Sequence, residues 1–245
     1  MLLLAQALGA CASAPPSQPL SAEVEAARSL IEQRWQAFGD LRGLAQIRIQ
    51  RDGYVQHLAG VLLLRAPASL RFEALSPFGP PILLVGADAD RVTIWEIVRN
   101  RAFILPSTPE ANRRWLGLAL GAEDLVALLS GRVRPLGAPL SGAFLPADDS
   151  GPSLSLTGRK ATQRLWVDPA TGIVRQVEYT QGQNPLRVVI TGGGPAEPPS
   201  AVTLALLDGT LEVSVTYRRP QIDTGFDPDL LTVTVPEGVE IQDFR

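Results

Sequence analysis

The chain has 245 residues, of which 45% are apolar, and its formal net charge is −3. This length suits one large β domain or two small ones, with enough apolar material for a packed core. The small net charge and the scattered basic residues argue against nucleic-acid binding. The single cysteine, Cys11, and the single histidine, His57, rule out a disulfide framework and give a poor ligand set for zinc, iron or copper, so we expect no metal and no cofactor.

The first residues have the features of a secretory signal. Residues 1–10 are apolar, end in small residues and are too few to span a bilayer as a helix. The tetrapeptide Leu8-Gly9-Ala10-Cys11 resembles the bacterial lipobox, in which the cysteine after the cleavage site receives a diacylglycerol. We therefore expect a signal peptide over 1–10, a lipidated Cys11 and tether over 11–20, and one domain over 21–245. The alternative is an incidental cysteine behind an apolar N-terminus.

The first segment of the domain is predicted to be an amphipathic helix. Ser21 is a suitable N-cap, and Gly39 is the expected end of the helix. Apolar residues recur between them at helical spacing, namely Val24, Ala27, Leu30, Ile31, Trp35 and Phe38. The helix therefore presents one apolar face to a core.

Alternation of apolar and polar residues, with turn residues between the runs, then predicts β-strands. The strands extend from residue 45 to 105 and again from 141 to 218, about eleven in all. Residues 109–131 change to helical spacing and predict two short helices, broken near Gly121 and stopped by Gly131. Because no βαβ alternation is present, we predict a mainly β domain, a curved antiparallel sheet with an N-terminal helix and a central helical lid.

The order of these elements resembles that of LolB, the outer-membrane lipoprotein carrier, and of other LolA/LolB-type half-barrels. The most specific match is Leu-Arg-Phe-Glu-Ala-Leu-Ser-Pro-Phe-Gly at 70–79, which is similar to a strand and loop of LolB. Residues 90–95 fit the hairpin that follows, and residues 125–135 resemble the helix that closes the cavity in that family. The resemblance implies an incomplete antiparallel barrel whose helical lid covers an apolar cavity.

The resemblance also implies a function and a location. The protein would be anchored to the periplasmic face of the outer membrane, accept acyl chains in the cavity, and insert lipids or lipoproteins into that membrane. Ala12, where an aspartate would signal retention, agrees with sorting to the outer membrane. The implied partners are membrane lipid, acyl chains of the cargo and a periplasmic LolA-like carrier, with the protein itself a monomer. The alternative is a structural or partner-binding envelope lipoprotein with a filled core.

Inward-facing residues of the first half of the sheet and of the helices are the expected lining of this cavity. They are Trp35, Ile47, Ile49, Leu62, Leu64, Phe72, Leu83, Val85, Ile94, Phe103, Leu125 and Leu129. The same alternation also suits an ordinary packed core, so the sequence leaves a hollow and a filled interior open.

The loop 76–81 presents one large apolar side chain, Phe78, between residues with restricted backbones. Prolines fix φ on both sides, and Gly79 permits a tight turn. The resemblance implies that Pro77, Phe78 and Gly79 form a loop that contacts the membrane. In the alternative interpretation, the Phe78 ring folds back and plugs one end of the barrel.

No catalytic constellation is visible, so we expect that the protein is not an enzyme. His57 lies in a predicted strand without a nucleophile placed to use it, and no Gly-x-Ser-x-Gly elbow is present. The glycines at 192–194 precede Pro195 instead of a helix, which excludes a phosphate loop.

Replacing the cysteine tests the predicted anchor. Cys11→Ser should move the protein from the membrane fraction to the soluble fraction, because the acyl chains that hold it would be absent. Membrane pelleting followed by a carbonate wash measures the change. If the variant still pellets and resists carbonate, Cys11 is not the anchor.

Overall fold

The structure, a computed structural model, describes residues 20–180 and 185–244. Cys11 and the rest of the predicted signal and tether, apart from Leu20, lie outside these residues. Described residues form three α-helices and fourteen β-strands: α1 Ala22–Gln36, β1 Asp40–Arg51, β2 Tyr54–Arg65, β3 Ser69–Leu75, β4 Pro81–Ala87, β5 Arg91–Glu96, β6 Arg101–Pro106, α2 Pro109–Leu116, α3 Ala122–Leu129, β7 Ser141–Asp148, β8 Gly151–Thr157, β9 Thr162–Val167, β10 Val174–Tyr179, β11 Leu186–Gly192, β12 Pro199–Leu206, β13 Leu211–Ile222 and β14 Glu240–Asp243.

All fourteen strands belong to one curved sheet that does not close. Their order is β14-β6-β5-β4-β3-β2-β1-β13-β12-β11-β10-β9-β8-β7. Neighbouring strands are antiparallel except β14, which runs parallel to β6. The predicted mainly β, incomplete antiparallel barrel is confirmed, although the sheet has fourteen strands where about eleven were expected.

Part of the difference lies at the C-terminal end of the domain. The predicted strands end at residue 218, but a further strand forms at Glu240–Asp243. This segment is short and mostly polar, so it carries no alternation. It becomes a strand because β6 offers it an unpaired edge.

The pairing of β1 with β13 joins the two halves of the sheet. Both strands have twelve residues, and their register runs from Leu41 opposite Ile222 to Arg51 opposite Leu211. One irregularity interrupts this register, between Arg42 and Leu44. Strands β2 to β6 therefore lie on one side of this pair, with β14 beyond β6, and strands β7 to β12 lie on the other side.

The N-terminal helix begins where the sequence predicted. Ser21 caps α1, because its Oγ accepts a hydrogen bond from the Val24 N–H at 3.3 Å. The helix ends at Gln36, about one turn before Gly39, and Phe38 lies buried beyond it with its ring 6.0 Å from that of Trp35. The apolar face of α1 packs into the same core as the helical insert.

The helical insert consists of two short helices, as predicted. Thr108 caps α2 by accepting from the Ala111 N–H at 3.2 Å, and the chain leaves α2 at Gly117, whose φ of 84° few other residues adopt. The break therefore starts at Gly117 and ends at Gly121, the N-cap of α3. Tyr217 Oη donates to the Leu129 carbonyl at 2.6 Å and satisfies the C-terminal end of α3.

A row of small residues crosses the face of the sheet that the helices cover, which we call the inner face. Ala45, Gly60 and Ala74 lie opposite one another on β1, β2 and β3. Helix α3 packs on β2 and β3, with Val126 and Ala127 fully buried. Small side chains on both surfaces let the helix approach the sheet closely.

After β13 the chain crosses the opposite, outer face of the sheet before it forms β14. The Arg71 guanidinium donates to the Thr232 carbonyl at 2.7 Å and holds this crossing in place. Gly86 on β4 leaves room for it, because a Cβ there would lie 2.7 Å from Val233 Cγ2. The outer face of β3 to β5 is therefore covered by the C-terminal segment.

Gly60 has no space for a side chain. A Cβ at this position would lie 1.9 Å from the Glu73 carbonyl oxygen, so Gly60→Ala should push β2 and β3 apart and lower the free energy of unfolding by about 2 kcal/mol or more. Gly137→Ala is the matched control, because nothing lies within 4 Å of its Cβ position, and its effect should stay within about 0.5 kcal/mol. Urea unfolding measures both. Equal stabilities would show that β3 is not fixed against Gly60.

Candidate functional site

A cavity of about 350 Å³ lies between the helical insert and the second half of the sheet. Its floor is one row of the inner face, in which Gln163, Tyr179, Leu186 and Leu206 lie opposite one another on β9, β10, β11 and β12. The two leucines are buried, and together with Tyr179 they make most of the floor apolar.

The other walls come from the chain around α3. The linker between α2 and α3 contributes Leu118, Ala119 and Leu120, and the segment after α3 contributes residues 134–137. Asp124 on the first turn of α3 and Ala161 complete the lining. The cavity is thus covered by the part of the insert that is not helical.

Two buried amides fix these walls. Asn112 on α2 donates from Nδ2 to the Leu120 carbonyl at 2.7 Å, which holds the linker. Gln163 accepts from the Leu136 N–H at 2.9 Å and donates to the Arg134 carbonyl at 2.8 Å. Because both ends of the Gln163 amide are used, this side chain can be buried at little cost while it ties the segment after α3 to the sheet.

The polar side of the cavity is an ion-pair cluster. Arg134 lies 2.6 Å from Glu123 Oε2 and 2.9 Å from Asp124 Oδ1. Burial raises the pKa of Asp124 above its ordinary value, and the positive charge of Arg134 opposes that rise. Burial also raises the pKa of Tyr179, whose hydroxyl is therefore uncharged well above physiological pH. The cluster is therefore one charged wall beside an otherwise mostly apolar space.

The cavity lies near one end of the sheet, which we call the loop end. The turns β1–β2, β3–β4, β5–β6 and β12–β13 are all at this end, and Leu206 is the last residue of β12. The β3–β4 turn carries Phe78, whose side chain is 93% exposed. Hydrogen bonds from the Ser76 N–H to the Pro80 carbonyl and from the Gly79 N–H to the Ser76 carbonyl close the turn. Phe78 thus points into solvent and does not plug the barrel.

Solved structures of the same shape are known from other bacteria. A Vibrio parahaemolyticus domain described as outer-membrane lipoprotein-sorting aligns with a TM-score of 0.55 at 11% identity, over 86% of this chain and 95% of its own. A LolA superfamily protein from Nitrosomonas europaea gives 0.54 at 12% identity, over 85% and 97% of the two chains. The chain has a LolA/LolB-type fold.

A third solved structure extends the fold comparison. A DUF1329 family protein from Desulfovibrio piger aligns with a TM-score of 0.56 at 11% identity, over 86% of this chain and 97% of its own. No family model matches the sequence, and no curated protein does. The likeness is therefore one of LolA/LolB-type architecture.

The residues predicted to line a cavity lie together on the inner side of this LolA/LolB-type sheet, but in its first half. Five are buried in the main core: Trp35, Leu62, Leu64, Phe72 and Leu125. Five more are partly buried and pack against that core: Ile47, Ile49, Leu83, Val85 and Leu129. Ile94 and Phe103 continue the row toward the sheet edge, half-buried. None of the twelve lines the 350 Å³ cavity, and their role in ligand binding stays a prediction.

The residues that do line the cavity lie on elements that the sequence predicted, but they were not among the residues predicted to line it. Leu186 and Leu206 lie near the ends of predicted strands. Leu118 and Leu120 lie in the linker between α2 and α3, which starts earlier than the break predicted near Gly121. The sequence feature that could have identified Leu118 and Leu120 is a pair of leucines in a break between two helices, since such side chains need an apolar surface to pack on. Both are buried in the structure.

Two further properties concern the described residues alone. No helix among residues 20–180 and 185–244 is long and apolar enough to cross a membrane. Within the same residues, no group of three His, Cys, Asp or Glu side chains is placed to hold a metal ion.

Proposed function

We propose that this protein is a lipid-anchored outer-membrane protein that binds acyl chains in the cavity under the helical insert and delivers lipids or lipoproteins to the membrane. One observation carries the proposal: the apolar floor and the exposed Phe78 turn lie at the same end of the sheet. A chain leaving the cavity at that end would meet whatever surface Phe78 touches. The fold of a lipoprotein-sorting domain supports the same function.

The driving force for uptake would be burial of apolar surface, worth roughly 25 cal/mol per Å². The cavity, at about 350 Å³, is near the lower limit for ligand sites. A long acyl chain therefore requires the linker 117–121 to move away from the sheet, and Asn112 would hold the linker when the cavity is empty. The insert would act as a lid.

The remaining features of the proposal follow from the sequence. Cys11 would carry the acyl anchor, and the protein would lie on the periplasmic face of the outer membrane. It would act as a monomer, receive cargo from a LolA-like carrier and catalyse no reaction. Pro77, Phe78 and Gly79 would contact the membrane, where an aromatic ring gains from partial burial at the interface.

A second candidate function has its own support. The twelve residues predicted to line a cavity are largely packed in the core or against it, so the interior under α3 is filled. This packing favours a structural or partner-binding envelope lipoprotein that carries no ligand. The two functions differ in whether the space on β9 to β12 takes up an acyl chain.

Filling the cavity should separate these functions. Leu206→Trp places an indole in the floor, so binding of the uncharged fluorophore N-phenyl-1-naphthylamine should weaken by about tenfold or more, which corresponds to roughly 1.4 kcal/mol. Leu207→Trp is the matched control, because this neighbouring side chain is exposed and should leave binding unchanged. Fluorescence titration of the Cys11→Ser protein measures the affinity.

Near-UV circular dichroism should show that both tryptophan variants are folded. Saturable binding that survives Leu206→Trp would place the ligand elsewhere. Absence of saturable binding in the folded parent protein would favour the structural function instead.

The exposed turn gives a second test. Phe78→Glu should change the free energy of unfolding by less than about 0.5 kcal/mol, because the ring is 93% exposed. It should nevertheless weaken binding of the unlipidated protein to liposomes and slow delivery of cargo. Val189→Glu is the control, an exposed apolar residue on β11 away from the loop end. Liposome flotation that is equal for both variants and the parent would remove Phe78 from the membrane contact.

A further inference from the structure

A groove of about 500 Å³ lies on the outer face of the sheet, on the side opposite the helical insert. Its floor consists of Leu44 on β1 and of Val61 and Leu63 on β2, which alternate with the buried inner residues of the same strands. Phe226 and Leu230 from the C-terminal crossing form one wall. Leu44 and Leu230 are 48% and 51% exposed, so the groove leaves apolar surface in contact with water.

Four arginines border this apolar floor: Arg42, Arg71, Arg218 and Arg219. The only carboxylate in the lining is Glu73, which is already paired with Arg71 at 3.1 Å. The groove is therefore positively charged, although the chain as a whole has a net charge of −3.

The four guanidinium groups do not have the same role. Arg71 also donates to the Thr232 carbonyl, and Arg42 donates from Nε to Gln221 Oε1 at 2.9 Å, so both help to build the groove. Arg218 and Arg219 are exposed, and their guanidinium groups make no hydrogen bond or ion pair with any described residue. These two are free to bind an anion.

A bulge in β13 brings the two free arginines to the same rim. In a regular strand, consecutive side chains point to opposite faces. Here the register with β1 slips between Arg42 and Leu44, and Arg219 takes a φ of 51°, which is uncommon for a residue with a side chain. Gly43 accepts the bulge, since a Cβ there would lie 3.1 Å from Pro220 Cα.

The chemistry of the groove selects between an acidic peptide and an anionic lipid. The floor is the face of β1 and β2, whose backbone groups are already paired with strands on both sides. A peptide laid there would bury its own amides without partners, which is costly. An acyl chain has no amides, and the two free oxygens of a phosphodiester suit the planar fork of arginine.

We propose that this groove binds a single anionic phospholipid of the membrane, with its phosphate on Arg218 and Arg219 and the start of its acyl chains on Leu44, Val61 and Leu63. The site is separate from the cavity under the insert and does not depend on it. It would give the protein a preference for anionic lipid that Phe78, an uncharged ring, cannot supply.

Short-chain lipids below their micelle concentration test the proposal. Dihexanoyl phosphatidylglycerol, added to the full chain carrying Cys11→Ser, should bind saturably and shift the methyl NMR signals of Val61 and Leu63. Dihexanoyl phosphatidylcholine should bind at least about fivefold more weakly, because its head group has no net charge. Added salt should reduce the difference in affinity between the two lipids.

Charge and apolar floor can be tested independently. Arg218→Gln with Arg219→Gln should weaken phosphatidylglycerol binding by about fivefold. Arg159→Gln with Lys160→Gln removes the same charge from an exposed turn between β8 and β9, so it should leave the affinity unchanged. Leu44→Gln should also weaken binding, and inorganic phosphate should bind much more weakly than the lipid.

Several outcomes would overturn the proposal. Equal affinity for the two lipids, or no effect of the double arginine variant, would remove the role of the charge. Inorganic phosphate binding as tightly as the lipid would make the groove a simple anion site, and tighter binding of a peptide rich in glutamate and leucine would assign it to a protein partner. Shifts confined to Leu186 and Leu206 would report the inner cavity instead, so the two sites can fail separately.

Discussion

The close packing of α3 on β2 and β3 is the contact on which the arrangement of the molecule depends. An unclosed sheet leaves its concave apolar face in water unless another element covers it, and here a helix of only eight residues covers the centre. It can do so because Ala45, Gly60 and Ala74 offer a shallow surface. Larger side chains would lift the helix and, with it, the linker and the segment after α3 that enclose the cavity.

The same contact explains why the two halves of the inner face differ. Over the first half, helices fill the space with side chains, and the interior is a conventional core. Most of the second half is also core, with α1 packed on β7. At the loop end of this half, however, the cover is irregular chain held by Asn112 and Gln163. Irregular chain cannot interdigitate with a sheet as a helix does, so a gap remains there. The positions at which the helices end therefore decide which parts of the inner face are filled and which are open.

Local patterns were enough to predict the mainly β class, the N-cap at Ser21 and the two-helix insert, whereas they left the exposure of Phe78 open. They were not enough for features that depend on distant strands. The polar segment Glu240–Asp243 is a strand only because β6 has a free edge, and the β13 bulge is visible only from its register with β1. The floor of the cavity is a row of residues from four different strands, Gln163, Tyr179, Leu186 and Leu206. Their spacing along the chain does not indicate that they are neighbours.

The two edges of this sheet are protected by different means. An open sheet presents unpaired backbone groups at its outermost strands, and such edges recruit other chains into aggregates. On one side the edge strand is β14, which pairs with β6 and has only four residues, and the ring of Phe244 beyond it packs 4.8 Å from that of Trp115 on the insert. On the other side, β7 contains Pro146, which lacks an N–H and interrupts any added ladder. An antiparallel half-barrel can therefore stay open without joining its neighbours edge to edge.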